Sequence, residues 1–386
     1  MDPALLVNYA TKTVLSSGGI DPNVAVRLDG RVYRRIDATT RTERWAETEN
    51  FMCSKEASNL VDKGLVVPFA QVACTFDGMR HYETATIPCV STPNQWTGLQ
   101  FTDILACIIR LNMELEWTKS RFRATDCHTN NATFLHTQAV YFDLGSFSHV
   151  NHDYVLDHIR LSLEQYGWDV GLCPLGASLS EVESNVVRYG YGRTVTEDDW
   201  DTYDTSELPQ CAGDIGAGDP EVAQLAYWVR QCRPSSILDV GANKGRMARV
   251  FARNGTHVTT IDTSERAVDA CYTTAERLSL PITCLYGKVQ DMNLGQHCDM
   301  VVASSVTHHL IRSGVSFADQ AKLWNDLARR FLLVEFISPD DPTLSGWAPI
   351  NDYNQSAFLS SLESAWRIVT QAPNGKHRTW YFMARR

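Results

Sequence analysis

The chain has 386 residues, of which 44% are hydrophobic and 21% are charged, and this length is ample for two domains with separate cores. The composition excludes a disordered chain, a collagen-like chain and a small disulfide scaffold. Against 45 Asp and Glu there are only 35 Lys and Arg, a formal net charge of −10, so no excess of positive charge would attract nucleic acid. We therefore expect no nucleic-acid partner.

The cysteines and the apolar runs indicate the compartment. The 11 cysteines are odd in number and include no CxxC pair and no His/Cys cluster at metal-ligand spacing, so we expect reduced thiols and no metal. No basic segment followed by an apolar run opens the chain, and no apolar run approaches the ~20 residues of a membrane helix. These features predict a cytoplasmic protein without membrane association.

The first half of the chain mixes strand and helix patterns. Runs of β-prone residues at Gly30–Ile36, Leu65–Cys74 and Thr84–Val90 predict strands. Apolar residues then recur at i, i+3, i+4 and i+7, which predicts a helix that contains Phe101, Ile104, Leu105, Ile108 and Leu111. We expect an α+β domain over residues 1–193.

Three polar residues near the end of this half have a distinctive spacing. Asp126 and Asn131 lie in Ala-Thr-Asp-Cys-His-Thr-Asn-Asn, and Asp143 follows in Phe-Asp-Leu-Gly-Ser. This spacing resembles the catalytic loop and the metal-binding turn of protein-kinase-like folds, and the resemblance implies a base and two metal ligands at a nucleotide phosphate. A glycine-rich loop and a strand lysine are not evident, since the corresponding strand offers Arg34 and Arg35. We interpret this half as a degenerate kinase-like domain for substrate recognition, with an ATP-dependent phosphotransferase as the alternative.

An acidic segment separates the two halves. Residues 194–220 contain eight acidic residues and no Lys or Arg, a composition typical of a linker. From 221 to 386, short apolar strands alternate with helices, which predicts βαβ units and a Rossmann-like α/β fold with a seven-stranded sheet. The expected strands are Ser236–Val240, His257–Asp262, Ile282–Tyr286, Asp299–Ala303 and Phe331–Phe336, and then a final antiparallel hairpin of Trp366–Val369 and Thr379–Met383.

A glycine-rich turn follows the first of these strands. Asp239, Gly241 and Gly245 form an Asp-x-Gly-x-x-x-Gly turn in which the backbone can approach a ligand, and Asp262 ends the second strand, where it can accept hydrogen bonds from ribose hydroxyls. The carboxylate of Asp239 disfavours a pyrophosphate and suits a cationic ligand, although an NAD-dependent oxidoreductase stays open as an alternative. Ala242, Asn243 and Thr263 complete this set of candidate cofactor-binding residues.

Together these motifs resemble the class I S-adenosylmethionine-dependent methyltransferases from Glu221 to Arg386. The resemblance implies S-adenosylmethionine as cofactor, with Asp291 at the adenine amine and Ser304 at the junction of cofactor and acceptor. The segments His-His-Leu and Val-Glu-Phe-Ile-Ser-Pro-Asp-Asp-Pro are similar to those of a narrower group that includes nodulation host-specificity proteins and natural-product enzymes. That group implies a small-molecule acceptor in specialised metabolite or glycolipid tailoring.

The candidate catalytic residues follow the fourth strand. His308 or His309 could serve as general base for a hydroxyl acceptor, or one of them could only pack against the next helix. Glu335 interrupts an apolar strand, so it either binds the acceptor, orients a histidine or pairs with a basic residue nearby. Asp126, Asn131 and Asp143 remain candidates for substrate contact. We expect O-methylation, with carboxylate or amine acceptors and a noncatalytic cofactor-binding protein as alternatives.

Overall fold

The computed structural model describes most of the chain, with gaps between the described ranges. These ranges are residues 13–14, 24–28, 31–36, 42–72, 80–87, 89–149, 154–195, 220–253, 255–292, 294, 298–344 and 353–386. The chain divides into two compact units, of which the first consists of Met1–Pro93 with Gly98–Arg193 and the second of Asn94–Thr97 with Thr194–Arg386. Most of the predicted acidic linker lies outside the described residues.

The first unit contains five helices and nine strands within its described part. The helices are α1 (Thr42–Met52), α2 (Lys55–Asp62), α3 (Gly98–Trp117), α4 (Val155–Tyr166) and α5 (Leu179–Gly192). The strands are β1 (Thr13–Val14), β2 (Val24–Leu28), β3 (Arg31–Ile36), β4 (Phe69–Gln71), β5 (Arg80–Thr84), β6 (Arg123–Ala124), β7 (Ala132–Leu135), β8 (Gln138–Tyr141) and β9 (Phe147–Ser148).

An antiparallel sheet and a long buried helix organise this unit. The sheet has the order β1-β2-β3-β5-β4, and two small antiparallel pairs, β6 with β9 and β7 with β8, stand apart from it. Helix α3 contains the predicted apolar stripe and buries Phe101, Ile104 and Ile108 completely. The strand predicted at Thr84–Val90 is wrong, because the structure ends β5 at Thr84. Pro88 in that run has no backbone N–H to donate to a neighbouring strand.

The second unit continues with six helices and seven strands within its described part. The helices are α6 (Pro220–Cys232), α7 (Arg246–Ala252), α8 (Glu265–Arg277), α9 (Thr307–Arg312), α10 (Phe317–Leu327) and α11 (Gln355–Leu362). The strands are β10 (Ser236–Val240), β11 (His257–Asp262), β12 (Ile282–Tyr286), β13 (Cys298–Ala303), β14 (Ala328–Ile337), β15 (Trp366–Asn374) and β16 (Arg378–Arg385).

The predicted Rossmann-like sheet is confirmed. Its seven strands have the order β12-β11-β10-β13-β14-β16-β15, and the first five run parallel while β16 is antiparallel to both of its neighbours. Strand β14 and the last two strands are longer than predicted, and the hairpin turns at Gly375 with φ +72°. The order reverses direction beside β10, so the carboxyl ends of β10 and β13 flank the crevice where open α/β sheets bind their ligands.

The sequence explains why these elements form. Strand β10 is buried along Ile237, Leu238 and Val240, as expected for a parallel strand covered on both faces. Helix α8 begins after Ser264, whose Oγ accepts a hydrogen bond from the Ala267 N–H at 3.2 Å, as is typical of a serine N-cap. No helix within the described ranges has the length and apolarity needed to cross a membrane.

Candidate active site

The glycine loop between β10 and α7 has a backbone that only glycine accommodates easily. Gly241 and Gly245 adopt φ values of +69° and +75°, a region that side-chain-bearing residues rarely enter. A Cβ on Gly241 would collide with the side chain of Val306, and one on Gly245 would collide with Cys271 Sγ. The N–H groups of Gly241 and Ala242 donate to the Ile261 carbonyl at 2.8 and 3.2 Å, which ties the loop to β11.

Asp262 connects the glycine loop to the next helix. Its Oδ2 accepts a hydrogen bond from the Asn243 N–H at 2.7 Å, and its Oδ1 accepts one from the Ser264 N–H at 2.9 Å. These two hydrogen bonds hold the Asp262 carboxylate in one orientation at the end of β11, where an acid can bind the hydroxyls of a ribose.

A cavity of about 260 Å³ opens at this edge of the sheet. One side of its wall is formed by residues of the glycine loop and the end of β11, namely Gly241, Asn243, Asp262 and Thr263. The other side is formed by residues that follow β13, namely Ser304, Ser305, Val306 and His309. Six of the residues predicted from the sequence thus meet at one cavity: Gly241, Asn243, Asp262, Thr263, Ser304 and His309.

Asp239 does not belong to the cavity wall. Its side chain is only 2% exposed, and burial together with the nearby charge of Asp262 raises its pKa to about 7. A backbone hydrogen bond from Ala248 opposes this shift. The structure therefore places Asp239 behind the glycine loop, as a carboxyl that is partly protonated at neutral pH. Ala242 and Gly245 also lie outside the wall, and they shape the loop through the backbone.

The two candidate catalytic histidines occupy different environments. His309 lines the cavity, whereas His308 is 5% exposed and is not part of the wall. Their rings lie 3.9 Å apart between centroids. Burial lowers the pKa of His308 to about 3 and that of His309 to about 4, with further lowering of the His308 pKa by His309 and Arg378. Both rings are therefore neutral at pH 7, and His309 is the one that an acceptor in the cavity would meet.

The segment after β12 approaches the cavity through residues that the sequence analysis did not select. Lys288, Val289 and Gln290 line the wall, whereas the side chain of Asp291 is exposed and takes no part in it. Residues 289–291 form one turn of 3₁₀ helix. The family resemblance pointed to the acid at position 291, whereas the wall residues belong to the run Gly-Lys-Val-Gln that directly follows the strand end.

Glu335 lies in the interior of the sheet and pairs with neither Arg329 nor Arg330. Both arginines instead approach Asp299, with N–O distances of 3.3 and 3.9 Å. Glu335 accepts hydrogen bonds from Ser305 and Asn374, and it is completely buried. It is not part of the cavity wall, so its predicted role in binding an acceptor is not supported by its position.

The kinase-like residues of the first unit are brought together by the β7–β8 hairpin. Asn131 and Asp143 flank the two strands, and the Asn131 side chain donates to the Asp126 carbonyl at 2.8 Å. Asp143 Oδ1 accepts from the Gly145 N–H at 3.2 Å. The carboxylate of Asp126 forms an ion pair with His128, and this contact lowers the pKa of Asp126 and raises that of His128.

Asp126 and His128 also form a candidate metal-binding cluster with His158, because one ligand atom from each lies within 4.8 Å of the others. The sequence spacing gave no sign of this cluster, since His158 comes from α4. Its Nδ1 accepts a hydrogen bond from the Cys127 N–H at 3.0 Å, so the ring proton of the neutral imidazole sits on Nε2. In this arrangement neither ring nitrogen of His158 offers a lone pair to a metal, because Nδ1 accepts from Cys127 and Nε2 is protonated.

The comparison with known protein families agrees with the geometry of the second unit. Residues 237–322 match a family described as a methyltransferase domain. This range begins in β10 and includes the glycine loop, Asp262 and the histidines of α9. Together with the order of the sheet, the match defines a class I S-adenosylmethionine-dependent methyltransferase domain in this chain.

Among curated proteins, the chain is similar to the nodulation protein NoeA of Rhizobium meliloti strain 1021. The two are 28% identical over 183 residues, which covers 42% of this chain and 38% of NoeA. The chain thus spans well under half the length of this relative.

Solved structures are similar to part of this chain at low sequence identity. Magnesium protoporphyrin IX methyltransferase from Synechocystis PCC 6803 is 16% identical, with a TM-score of 0.35 and coverage of 43% of this chain and 78% of that chain. TehB from Haemophilus influenzae is 18% identical, with a TM-score of 0.35 and coverage of 43% and 61%. WbdD is 17% identical, with a TM-score of 0.36 and coverage of 43% and 40%.

Proposed function

We propose that this protein transfers the methyl group of S-adenosylmethionine to a small-molecule acceptor, and that the acceptor atom is an oxygen. The observation that carries the proposal is the cavity where the glycine loop, Asp262 and His309 meet at the carboxyl ends of the strands. A carboxylate oriented for a ribose stands on one side, and a neutral imidazole stands on the other. Specialised metabolites and glycolipids are the acceptor classes to screen first.

The residues of the cavity suit this cofactor. Gly241 and Val306 both line the cavity, and the absence of a side chain at Gly241 leaves room for that of Val306. Asp262 would hold the ribose hydroxyls, and Lys288, Val289 and Gln290 would flank the base. When bound, the cofactor supplies a methyl group on a sulfonium, which is already a good leaving group, so positioning the acceptor provides much of the rate.

The protonation state of His309 determines whether it would orient the acceptor or also take a proton from it. Its ring is neutral at pH 7 and can accept a hydrogen bond from an acceptor hydroxyl, which orients the oxygen toward the methyl group. Burial lowers its pKa to about 4, so it is a weak base, and general-base catalysis is most efficient when the pKa lies near the working pH. Acceptors with an acidic hydroxyl or a carboxyl group therefore fit this site better than aliphatic alcohols. A carboxylate or an amine needs no base and only has to be oriented.

Calorimetric titration with S-adenosylhomocysteine tests the proposal directly. We expect the wild type to bind with micromolar affinity. In Asp262→Ala the affinity should fall about tenfold or more, because two charge-assisted hydrogen bonds to the ligand disappear. Asp269→Ala, which removes an acid from α8 outside the cavity wall, is the control and should bind normally. Binding of NAD but not of the sulfur nucleoside would overturn the proposal. Binding without transfer to any acceptor in a broad panel would favour a noncatalytic role.

A second candidate function belongs to the first unit. The β7–β8 hairpin gathers Asp126, Asn131 and Asp143, residues of the types that Mg·ATP chemistry needs, and this favours ATP binding there. The ion pair between Asp126 and His128 counts against a catalytic base, because a carboxylate with a lowered pKa accepts a proton less readily.

Titration with Mg·ATP distinguishes a phosphotransferase from a domain that only recognises the substrate. If the first unit is a phosphotransferase, Asp143→Asn abolishes ATP turnover, whereas Asp169→Asn leaves it unchanged. Asp169 is a matched control, because it accepts from the Gly171 N–H at 2.8 Å in the same way that Asp143 accepts from Gly145. No ATP binding at millimolar concentration would eliminate this function and leave substrate recognition as the role of the unit.

A further inference from the structure

A buried carboxylate supports the wall of the cavity from behind. Glu335 lies near the carboxyl end of β14, opposite Trp380 of β16, and its exposed fraction is 0%. Burying an ionised group is costly unless hydrogen bonds replace its water. The groups that surround Glu335 should therefore include donors of hydrogen bonds.

The donors come from the segment after β13 and from the end of β15. Glu335 Oε2 accepts from both the backbone N–H and the Oγ of Ser305, at 2.9 and 2.8 Å, and Oε1 accepts from the Asn374 side chain at 2.7 Å. The backbone carbonyl of Glu335 accepts from Thr307 Oγ1 at 3.1 Å. One residue of β14 thus holds both Ser305, in the segment that links β13 to α9, and Thr307, at the start of α9.

That segment has a conformation that needs such support. Ser305 has φ +51°, in the left-handed region that a residue with a side chain enters at a free-energy cost. Ser304, Ser305 and Val306 line the cavity, and α9 with His309 begins at the next residue. The position of the cavity wall and of His309 therefore depends on Ser305 keeping this backbone geometry.

A second anchor acts on Ser305 from the hairpin side. Arg378 of β16 donates to Ser305 Oγ at 3.4 Å and to Asp341 Oδ2 at 2.9 Å. Ser305 Oγ therefore accepts from Arg378 and donates to Glu335, so both hydrogen-bonding capacities of the hydroxyl are used. The hydrogen bonds to Glu335 and Arg378 join Ser305 to two neighbouring strands of the sheet.

From these contacts we propose that Glu335 is a positioning residue for methyl transfer, which holds Ser305 in its left-handed conformation and so fixes the wall of the cavity. It touches neither cofactor nor acceptor and acts through Ser305 and Thr307. The inference rests on the proposed function for its consequence in catalysis, whereas its effect on the segment 304–307 can be measured without any ligand.

Another site in the same sheet provides a matched control. Asp299, near the amino end of β13, accepts from the backbone N–H and the Oγ of Ser235 at 2.8 and 2.6 Å, which repeats the arrangement of Glu335 with Ser305. Asp299 is 8% exposed and lies outside the cavity wall. Leucine at either position removes a carboxylate from a serine, but only at position 335 does the serine line the cavity.

The first measurement is amide hydrogen exchange of the ligand-free protein. We expect the segment 304–307 to exchange about tenfold faster or more in Glu335→Leu, because the Ser305 N–H loses its acceptor, and to be unchanged in Asp299→Leu. Unchanged exchange of this segment in folded Glu335→Leu would overturn the inference. If Glu335→Leu does not fold, Glu335→Ala and Ser305→Ala test the same contact.

The second measurement is affinity for S-adenosylhomocysteine. Glu335→Leu should weaken it about tenfold, while Glu335→Gln should stay within about threefold, because the amide carbonyl can accept from Ser305 and the Asn374 side chain can turn to accept from the amide N–H. Ser305→Gly in the Glu335→Leu background should recover about threefold or more of the loss, because glycine adopts a positive φ without strain. If the affinity fell equally in Asp299→Leu, or if Ser305→Gly did not recover it, general destabilisation of the protein would explain the effect of Glu335→Leu instead. Absence of binding in the wild type would refute the proposed function and leave the exchange result to decide on Glu335.

Discussion

Two carboxyl groups in the same sheet have their pKa values moved in opposite directions. Burial raises the pKa of Asp239 to about 7, because no opposite charge compensates for the lost water and Asp262 adds a negative charge nearby. Burial also acts to raise the pKa of Asp299, but the hydrogen bonds from Ser235 and the charge of Arg329 lower it overall. Side chains of the same chemistry therefore differ in their protonation at neutral pH, according to the donors that the fold places around them.

Replacing Asp239 should change the pH dependence of stability. A pKa that is higher in the folded protein contributes stability below the unfolded value, and this contribution is lost as the pH rises through about 7. Relative to the wild type, Asp239→Asn should thus gain stability between pH 4 and pH 8, by up to roughly 4 kcal/mol. Thermal unfolding at several pH values measures this gain. Asp299→Asn should show the opposite sign, and a gain in both variants would contradict the assignment.

The active-site histidines should stay neutral through the physiological range. Since burial lowers the pKa of His308 to about 3, its stabilising contribution is present above the unfolded value of about 6.5 and is lost as the pH falls toward 3. NMR of isotope-labelled histidine should show no titration of either ring between pH 6 and pH 8. His308→Gln should reduce the acid sensitivity of stability. A titration midpoint near pH 6.5 for His309 would contradict this expectation and would support His309 as an efficient general base.

Among the elements, the glycine loop should be the most sensitive to small substitutions. Gly241→Ala should weaken S-adenosylhomocysteine binding about tenfold or more and cost roughly 1 to 2 kcal/mol of stability, because the new Cβ combines a disfavoured φ with a collision against Val306. Calorimetry and thermal unfolding measure both effects.

Gly255→Ala is the matched control for that substitution. Gly255 has φ +79°, but a Cβ there would find no heavy atom within 4 Å. The Gly255→Ala variant should lose less stability, because only the disfavoured φ acts there, and it should bind the ligand normally. Equal affinities in the two alanine variants would mean that the loop adapts to the collision.

Local patterns predicted the elements well where one physical cause dominated. The buried parallel strands and the glycine turn each follow from neighbouring residues, and the structure has both. The partners of Glu335 could not be predicted, because Ser305 and Asn374 reach it from elements distant in the sequence. Asp291 illustrates the opposite limit, since the family resemblance implied a contact with the adenine amine, whereas its side chain is exposed outside the cavity wall.

For the whole molecule, ligand binding should slow amide exchange in particular segments of the second unit. Addition of S-adenosylhomocysteine should slow amide exchange in four separate segments that form the cavity, residues 240–245, 261–264, 287–290 and 304–313. Exchange measured by mass spectrometry tests this, and Asp262→Ala should abolish the protection in all four. Protection confined to residues 126–131 and 143–146 on addition of Mg·ATP would instead indicate a nucleotide site in the first unit.

The contact between Gly241 and Val306 also makes the evolution of one loop depend on that of the other. The Val306 side chain fills the space that any Cβ at position 241 would require, although the loops follow different strands, β10 and β13. A substitution at either position therefore changes which residues the other tolerates, which is epistasis of steric origin. In a combinatorial library, larger residues at position 241 should survive selection only with smaller ones at position 306, so that the two positions evolve as a pair.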